Sequence, residues 1–392
     1  MSVVIIGGGP AGCATALSLH KNTPKVSCLV IDDADPSSFK IGESLPPESG
    51  RILRYLCQPL TKELNEKISK GVYTTCTGNA SAWSSPILEE RHSIINPFGH
   101  GLHLNRSDFD ELLRDAVRIT GSEPASLLEL KKATFKGIEQ GDDGLWDIEV
   151  EVKGERNVVK TEWVVDATGR KATVATKLNG RVSSRSPLLA FYAVFVSGNY
   201  EDSLDSDNDM RTLIEATAEG WWYSSFLSHT PSTRVVVFHT LPSHPTAKSS
   251  RRSEGFLNLL QASSTHISEI ITKYDYDLQK GYPRCTAAGS SALDKAFDAD
   301  KHWASVGDAA MAFDPLSSQG IMTALETGTY LGLQLSQHLK HEITDGDFER
   351  NMGEIYTQVQ TEYEKHRAYY YSIVKRFSGE MFWENVVRSQ VT

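Results

Sequence analysis

Val3-Val4-Ile5-Ile6 runs straight into Gly7-Gly8-Gly9-Pro10-Ala11-Gly12, and no other stretch constrains the chain as much. Four β-branched residues predict a strand buried on both faces. The next six fit G-x-G-x-x-G, and Cys13 to Leu19 is small and apolar, as at the opening of a helix. A second apolar strand, Val26 to Ile31, ends on Asp32, twenty residues beyond Gly12. Each part has a task in holding a dinucleotide. Gly7 makes the tight turn, Gly9 lets the backbone approach a pyrophosphate, and Gly12 lets the helix pack close to the strand. Pro10 and Ala11 belong to the cofactor turn, and the helix that follows offers free N–H groups and a positive dipole end that favour phosphate. Asp32, with Asp33 beside it, is placed to accept from a ribose hydroxyl. Strand, helix, second strand and terminal acid together predict dinucleotide binding.

The 392 residues, 40% hydrophobic and 23% charged, suit a globular chain with a large core and room for two joined domains. No apolar run approaches the ~20 residues a membrane helix needs, and nothing at the N-terminus resembles a signal peptide. A formal charge of −10 argues against nucleic acid and against an anionic membrane surface as partners. The five cysteines (13, 28, 57, 76 and 285) show no C-x-x-C spacing, so reduced core thiols are expected, with no disulfide and no metal site. A cytoplasmic setting is the expectation that follows.

Lys40-Ile41-Gly42-Glu43-Ser44-Leu45-Pro46-Pro47 reads as a fixed loop before a helix near Glu48 to Leu56. Following the ribose-binding strand, it either lies along a bound cofactor through Gly42, Glu43 and Ser44 or serves as a rigid connector. Residues 57–100 are less periodic; Thr74 to Ser85, around Trp83, is expected to dip into a strand-rich layer. His103 and Arg106 precede an amphipathic helix capped by Ser107, with Phe109, Leu112, Leu113 and Ala116 at helical spacing. A cation at a helix start is opposed by the dipole, so Arg106 either meets an anion such as a pyrophosphate or is simply exposed.

Trp146 to Val152 and Val158 to Val165 predict a hairpin that ends in Asp166-Ala167-Thr168-Gly169-Arg170. Further strands are expected at Leu189 to Val196 and Arg234 to Thr240. Between them, alternation in Gly220-Trp221-Trp222-Tyr223 puts Trp221 and Tyr223 on one face and Trp222 on the other. One of those faces either lines an aromatic pocket or is plain core. Trp303 to Asp308 repeats the N-terminal logic, a strand ending in Gly307-Asp308. Asp314-Pro315-Leu316-Ser317-Ser318-Gln319-Gly320 then opens a helix over Ile321 to Leu335. Beyond Asp347 the pattern is helical, with Tyr363, Tyr369, Tyr370, Tyr371 and Trp383 placed to clamp these helices to the body or to form an interface.

Together G-x-G-x-x-G at 7–12, D-A-T-G-R at 166–170 and G-D-A-A…D-P-x-x-x-x-G at 307–320 resemble the FAD signatures of single-component flavoprotein monooxygenases and their flavin-dependent halogenase relatives. The resemblance implies an α/β fold of the p-hydroxybenzoate hydroxylase type: a Rossmann-type, glutathione reductase-like FAD-binding domain over 1–72, 98–180 and 283–340. A β-sheet substrate domain over 73–97 and 181–282 and C-terminal helices over 341–392 complete it. It implies Asp32 on the adenosine ribose and Arg106 at the pyrophosphate or ribityl chain, with Asp166 and Gly307 in the other cofactor turns. Asp308 would bind the ribityl chain or pyrophosphate, and the backbone from Pro315 through Ser318, Gln319, Gly320 and Ile321 would turn N–H groups to the flavin.

Gly42-Glu43-Ser44 before two prolines resembles the halogenase branch. That branch's W-x-W-x-I-P, however, falls on Trp221-Trp222-Tyr223-Ser224-Ser225-Phe226, and its lysine, expected near Asn79 to Trp83, is absent. The G-E-S-L-P-P, G-W-W-Y-S and D-P-L-S-S-Q-G stretches look like those of flavoproteins that hydroxylate protein-bound tryptophan during tryptophylquinone biogenesis. What this resemblance implies is a monooxygenase that takes electrons from NAD(P)H or a flavin reductase. With O2 it forms a flavin C4a-hydroperoxide and hydroxylates an electron-rich ring, including tryptophan in a protein or peptide. Glu43, His103, Trp221 and Tyr223 are its candidate catalytic residues, although His103 also reads as a satisfied structural histidine. The alternatives are a flavin-dependent halogenase of an indole or phenol, a flavin dehydrogenase, or a flavin-binding maturation partner without turnover.

Overall fold

A computed structural model describes residues 1–198 and 206–388. Its first sheet runs Phe297–Asp298, Trp303–Ser305, Trp163–Asp166, Val3–Ile6, Cys28–Asp32, Leu128–Lys132 in spatial order, and all but the first pair are parallel. Burial on both faces explains the unbroken apolar run of Val3–Ile6. Val3 and Ile5 pack with Cys13 and Leu17 of the helix Pro10–Asn22. Val4 and Ile6 pack with Trp146 and Ile148 of an antiparallel meander, Thr134–Gln140, Trp146–Val152 and Glu155–Thr161, on the other face.

The second large sheet is mixed. Its order is Tyr276–Leu278, Leu189–Ser197, Ser232–Thr240, Gly220–His229, Thr212–Thr217, Gly78–Ala82, Glu89–His92, and Arg284–Ala287 also pairs with Leu189–Ser197. Trp222 faces a core with Phe238 and Phe256, while Trp221 and Tyr223 face the opposite way, as the alternation predicts. The helices Asp345–Ser372 and Met381–Arg388 bridge the two sheets. Phe348, Met352 and Tyr356 of the long helix join the first core, and Tyr371, Phe382 and Trp383 join the second. The C-terminal aromatics therefore act as a clamp, apart from the exposed Tyr369.

Several expectations need correction. The helix Arg106–Gly121 is capped by Asn105, whose side chain accepts from the N–H groups of Ser107 and Asp108, and Ser107 lies inside it. The stretch expected as one strand from Val158 to Val165 breaks at Glu162, because Glu155–Thr161 belongs to the meander and Trp163–Asp166 to the parallel sheet. A helix at Gln58–Ser69 escaped the sequence reading because only Leu60 and Leu64 of its residues are buried, too few for a visible stripe.

Small residues lock the helix Pro10–Asn22 against Gly320–Leu339. A Cβ on Gly328 would lie 2.4 Å from the Ala11 carbonyl oxygen, and one on Gly332 would lie 2.5 Å from that of Thr15. The contacts advance in step, so the helices run parallel and present their N-termini at the same end of the sheet. Gly332→Ala should lower stability by about 1–3 kcal/mol despite its better helix propensity. Gly353→Ala, where a Cβ meets nothing closer than Phe297 at 3.9 Å, should raise it by about 0.4–1 kcal/mol. Denaturant midpoints of the two variants check the contrast.

Candidate active site

A cavity of about 450 Å³ opens between the C-terminal ends of the parallel strands and the mixed sheet. Its floor is built from the glycine turn. Gly7, at φ +112°, would place a Cβ 2.2 Å from the Ala167 carbonyl, and a Cβ on Gly12 would lie 1.9 Å from the Gly7 carbonyl. At Gly9 a Cβ would meet nothing within 4 Å, so the backbone is bare where Pro10 and Ala11 line the cavity. The helix that starts there has no side-chain cap, and its first N–H groups stay free. The helix Gly320–Leu339 also lacks a side-chain cap. Ser318, at φ +51°, Gly320 and Ile321 bring its N-terminus to the cavity wall.

Asp32 sits at the end of its strand, where Oδ1 accepts from the Ala34 N–H at 2.9 Å and Oδ2 meets Arg114 Nη1 at 3.1 Å. Arg114, almost fully buried, also donates to the Gly8 carbonyl and to Glu111. Asp33 is exposed and lies off the cavity wall. Arg106 does line the cavity, yet its guanidinium already has partners: the Gly42 carbonyl at 3.2 Å and Asp110 Oδ1 at 3.2 Å. Lys40 Nζ meets the other Asp110 oxygen at 2.8 Å. Burial opposes the Asp110 charge, but Arg106 and Lys40 outweigh it and hold the carboxyl below its ordinary range. The Lys40–Ser44 loop is thus tied to the helix Arg106–Gly121.

Glu43 is buried on this loop, and the Tyr223 hydroxyl donates to its two oxygens at 3.3 and 3.1 Å. Burial pushes the Glu43 carboxyl above its usual range, opposed by its own backbone N–H, Tyr223 and Arg106. Trp221 lines the cavity and stacks on His239 at 3.8 Å and 13°. Asp308 faces the cavity; burial raises its carboxyl, against Arg170 Nε at 3.5 Å and Arg106. Arg170 also donates to the carbonyls of Gly289 and Phe313 and so ties the turn after Asp166 to two connecting segments at the cavity.

Other predicted residues sit outside the wall. His103 is fully buried behind Thr212, with Nε2 2.9 Å from Thr212 Oγ1, so it does not touch a bound ring. Asp166 accepts from Thr168 and from the Ala175 N–H and pins its own turn. Gly307 gives close packing against Ala11, and Gln319 is exposed off the wall. Trp83 is core, between Trp221 and Trp383. The sequence reading missed Arg114, although Arg106, Asp110 and Arg114 recur every four residues as a charged stripe on an apolar helix face. It also missed the cavity residues Thr212, Ile214 and Tyr192, which carry no motif.

The family model described as "Tryptophan halogenase" matches residues 53–391. The chain belongs to the tryptophan halogenase family. It is 26% identical over 386 residues to the putative FAD-dependent oxidoreductase LodB of Marinomonas mediterranea, covering 97% of this chain and 95% of that one. In fold it is similar to the flavin-dependent halogenase CmlS, with a TM-score of 0.82 at 21% identity over 98% of this chain and 66% of that one. It also matches the peptidyl tryptophan dihydroxylase QhpG, with a TM-score of 0.66 at 17% identity over 98% and 78%. This tryptophan halogenase relative is an oxidoreductase of the FAD-dependent type. Its bare Gly9 backbone and two uncapped helix N-termini fit that cofactor.

Two histidines beside the cavity make stability depend on pH. Burial holds His103 down at about 4, helped by Arg234, and His239 at about 3. In the unfolded chain both titrate near 6.5. Between pH 6.5 and about 4 the unfolded chain therefore binds protons that the folded chain refuses. Stability falls with the pH, by up to about 1.4 kcal/mol per pH unit for each histidine. Urea midpoints at pH 7 and pH 5 should show a smaller histidine-linked loss in His239→Gln than in wild type. The comparison separates this effect from the raised carboxyls, whose linkage runs the other way.

Proposed function

We propose that this chain is an FAD-dependent monooxygenase that hydroxylates an electron-rich aromatic ring, the tryptophan side chain of a precursor protein. The observation that carries the reading is the wall facing the cofactor. It offers the Glu43–Tyr223 pair beside the Trp221 face, and its one lysine among the described residues, Lys40, is ion-paired with Asp110. Positions 79–83, where the halogenase resemblance calls for a lysine, read Asn-Ala-Ser-Ala-Trp. Likeness in fold to QhpG, a peptidyl tryptophan dihydroxylase, supports a protein-borne substrate, and likeness to LodB along nearly the whole of both chains supports an FAD-dependent oxidoreductase. Halogenation of an indole or phenol is the second reading, and the family match favours it.

Bound FAD supplies the activation of O2, with electrons from NAD(P)H or a flavin reductase. The chain's residues hold and shield. The free N–H groups of Gly9 and Ala11 would hold the pyrophosphate, Asp32 the ribose and Asp308 the ribityl chain. The start of the helix Gly320–Leu339 would meet the flavin. Trp221 and Tyr223 give a flat aromatic surface for an indole. Glu43, buried with the Tyr223 hydroxyl on its oxygens, accepts the indole N–H and so orients the ring.

Product mass decides between the readings. Reduced enzyme, O2 and a tryptophan-containing precursor protein should give added oxygen with or without chloride and bromide. A halogen on the product, dependent on added halide, would establish the second reading. Glu43→Gln should lower kcat by about 100-fold and Tyr223→Phe by less than about tenfold, with FAD still bound, as single-turnover product analysis will show.

A further inference from the structure

One run of hydrogen bonds crosses the cavity wall through a residue that does not touch the cavity. Trp221 Nε1 donates to the Tyr371 hydroxyl at 3.2 Å, and that hydroxyl donates to Asp314 Oδ2 at 2.7 Å. Asp314 Oδ1 in turn accepts the Leu316 N–H at 3.0 Å, which caps the short turn Pro315–Ser317. Trp221, Asp314, Pro315 and Leu316 all line the cavity, whereas Tyr371 belongs to the C-terminal helix behind it. Trp221, Tyr371 and Asp314 are each about 1% exposed, so water does not compete for these bonds. A second tyrosine on the same helix, Tyr363, accepts the Asp314 backbone N–H at 3.0 Å. Asp314 is thus held at its backbone and at its carboxylate by one helix.

From this geometry we infer that Tyr371 is a positioning residue: it couples the Trp221 side of the cavity to the cofactor-side turn by keeping Asp314 charged and oriented. The alternative, that Tyr371 only fills space, leaves its hydroxyl without consequence. The chemistry favours the coupling. Arg367 Nε, 3.9 Å from the carboxylate, is too far for a hydrogen bond. Burial pushes the Asp314 carboxyl upward, and the Leu316 N–H, the Tyr371 hydroxyl and, less strongly, the Arg367 and Arg170 charges oppose it. Without that hydroxyl the buried carboxylate loses a charge-stabilising donor, and its uptake of a proton becomes easier. Loss of one negative charge at the wall favours the extra electrons of a reduced flavin.

The inference rests on FAD occupying this cavity, and the test measures that occupancy separately. FAD affinity, thermal unfolding and the flavin reduction potential are determined for wild type, Tyr371→Phe, Asp314→Asn and the double variant. Tyr371→Phe keeps the ring and should keep fold and FAD, while its potential moves upward. At fixed poise the reduced-to-oxidised ratio should rise by roughly tenfold. Asp314→Asn should show an upward shift of similar size, and adding Tyr371→Phe to it should change nothing further, because the hydroxyl acts through the carboxylate. An unchanged potential in Tyr371→Phe with FAD bound would overturn the coupling. So would a Tyr371→Phe shift that persists in full on the Asp314→Asn background. Should Tyr371→Phe fail to fold, Asp314→Asn with an unshifted potential overturns it alone. Failure to bind FAD in wild type would instead sink the cofactor assignment.

Discussion

Everything at the cavity depends on how closely the helix Pro10–Asn22 meets the helix Gly320–Leu339. Glycines at 328 and 332 let one backbone touch the other, and a methyl group at either would land on a carbonyl oxygen. Because the two run parallel, their uncapped N-termini both point at the cavity, and their dipoles add there instead of cancelling. Neither terminus alone makes a site for a molecule as long as a dinucleotide. The distance between the two helix ends is set by this contact, with Gly307 pressed against Ala11 to hold the register.

A second constraint comes from the helix Arg106–Gly121. Among the apolar residues on its buried side runs a ladder of charges four residues apart: Arg106, Asp110, Arg114. Arg106 and Lys40 share Asp110 and pull the Lys40–Ser44 loop down, and Arg114 braces Asp32 and the Gly8 carbonyl. Buried ion pairs of this kind contribute little net stability, since desolvation cancels much of the attraction. Their value is geometric. Two separate places, Asp32 at its strand end and the loop that carries Glu43, are set by one rigid element.

The parallel sheet, its glycine turn and the alternation of Trp221, Trp222 and Tyr223 were legible because each rests on a short-range rule: a buried strand, a φ only glycine adopts easily, a period of two. So was the cofactor class, since three separated motifs recur in order. What escaped detection was long-range. Nothing local marks Thr212 or Tyr192 as wall residues, and nothing near His103 says that Thr212 stands in front of it. Asp166 looked like a ligand because strand-end acids often are, but its oxygens are used up by Thr168 and Ala175. Arg106 looked free because a helix start repels a cation, while the nearby Asp110 had already answered that cost.

The order of these parts along the chain has a consequence for synthesis. The glycine turn is made first, yet its partner helix follows about three hundred residues later, and the aromatic clamp of Tyr371 and Trp383 later still. At about 5–20 residues per second, the first helix waits roughly 15–60 s on the ribosome with its small-residue face unpaired. The two helices that face each other across the small residues therefore meet only late in synthesis, and until then the glycine turn stands without its opposite wall.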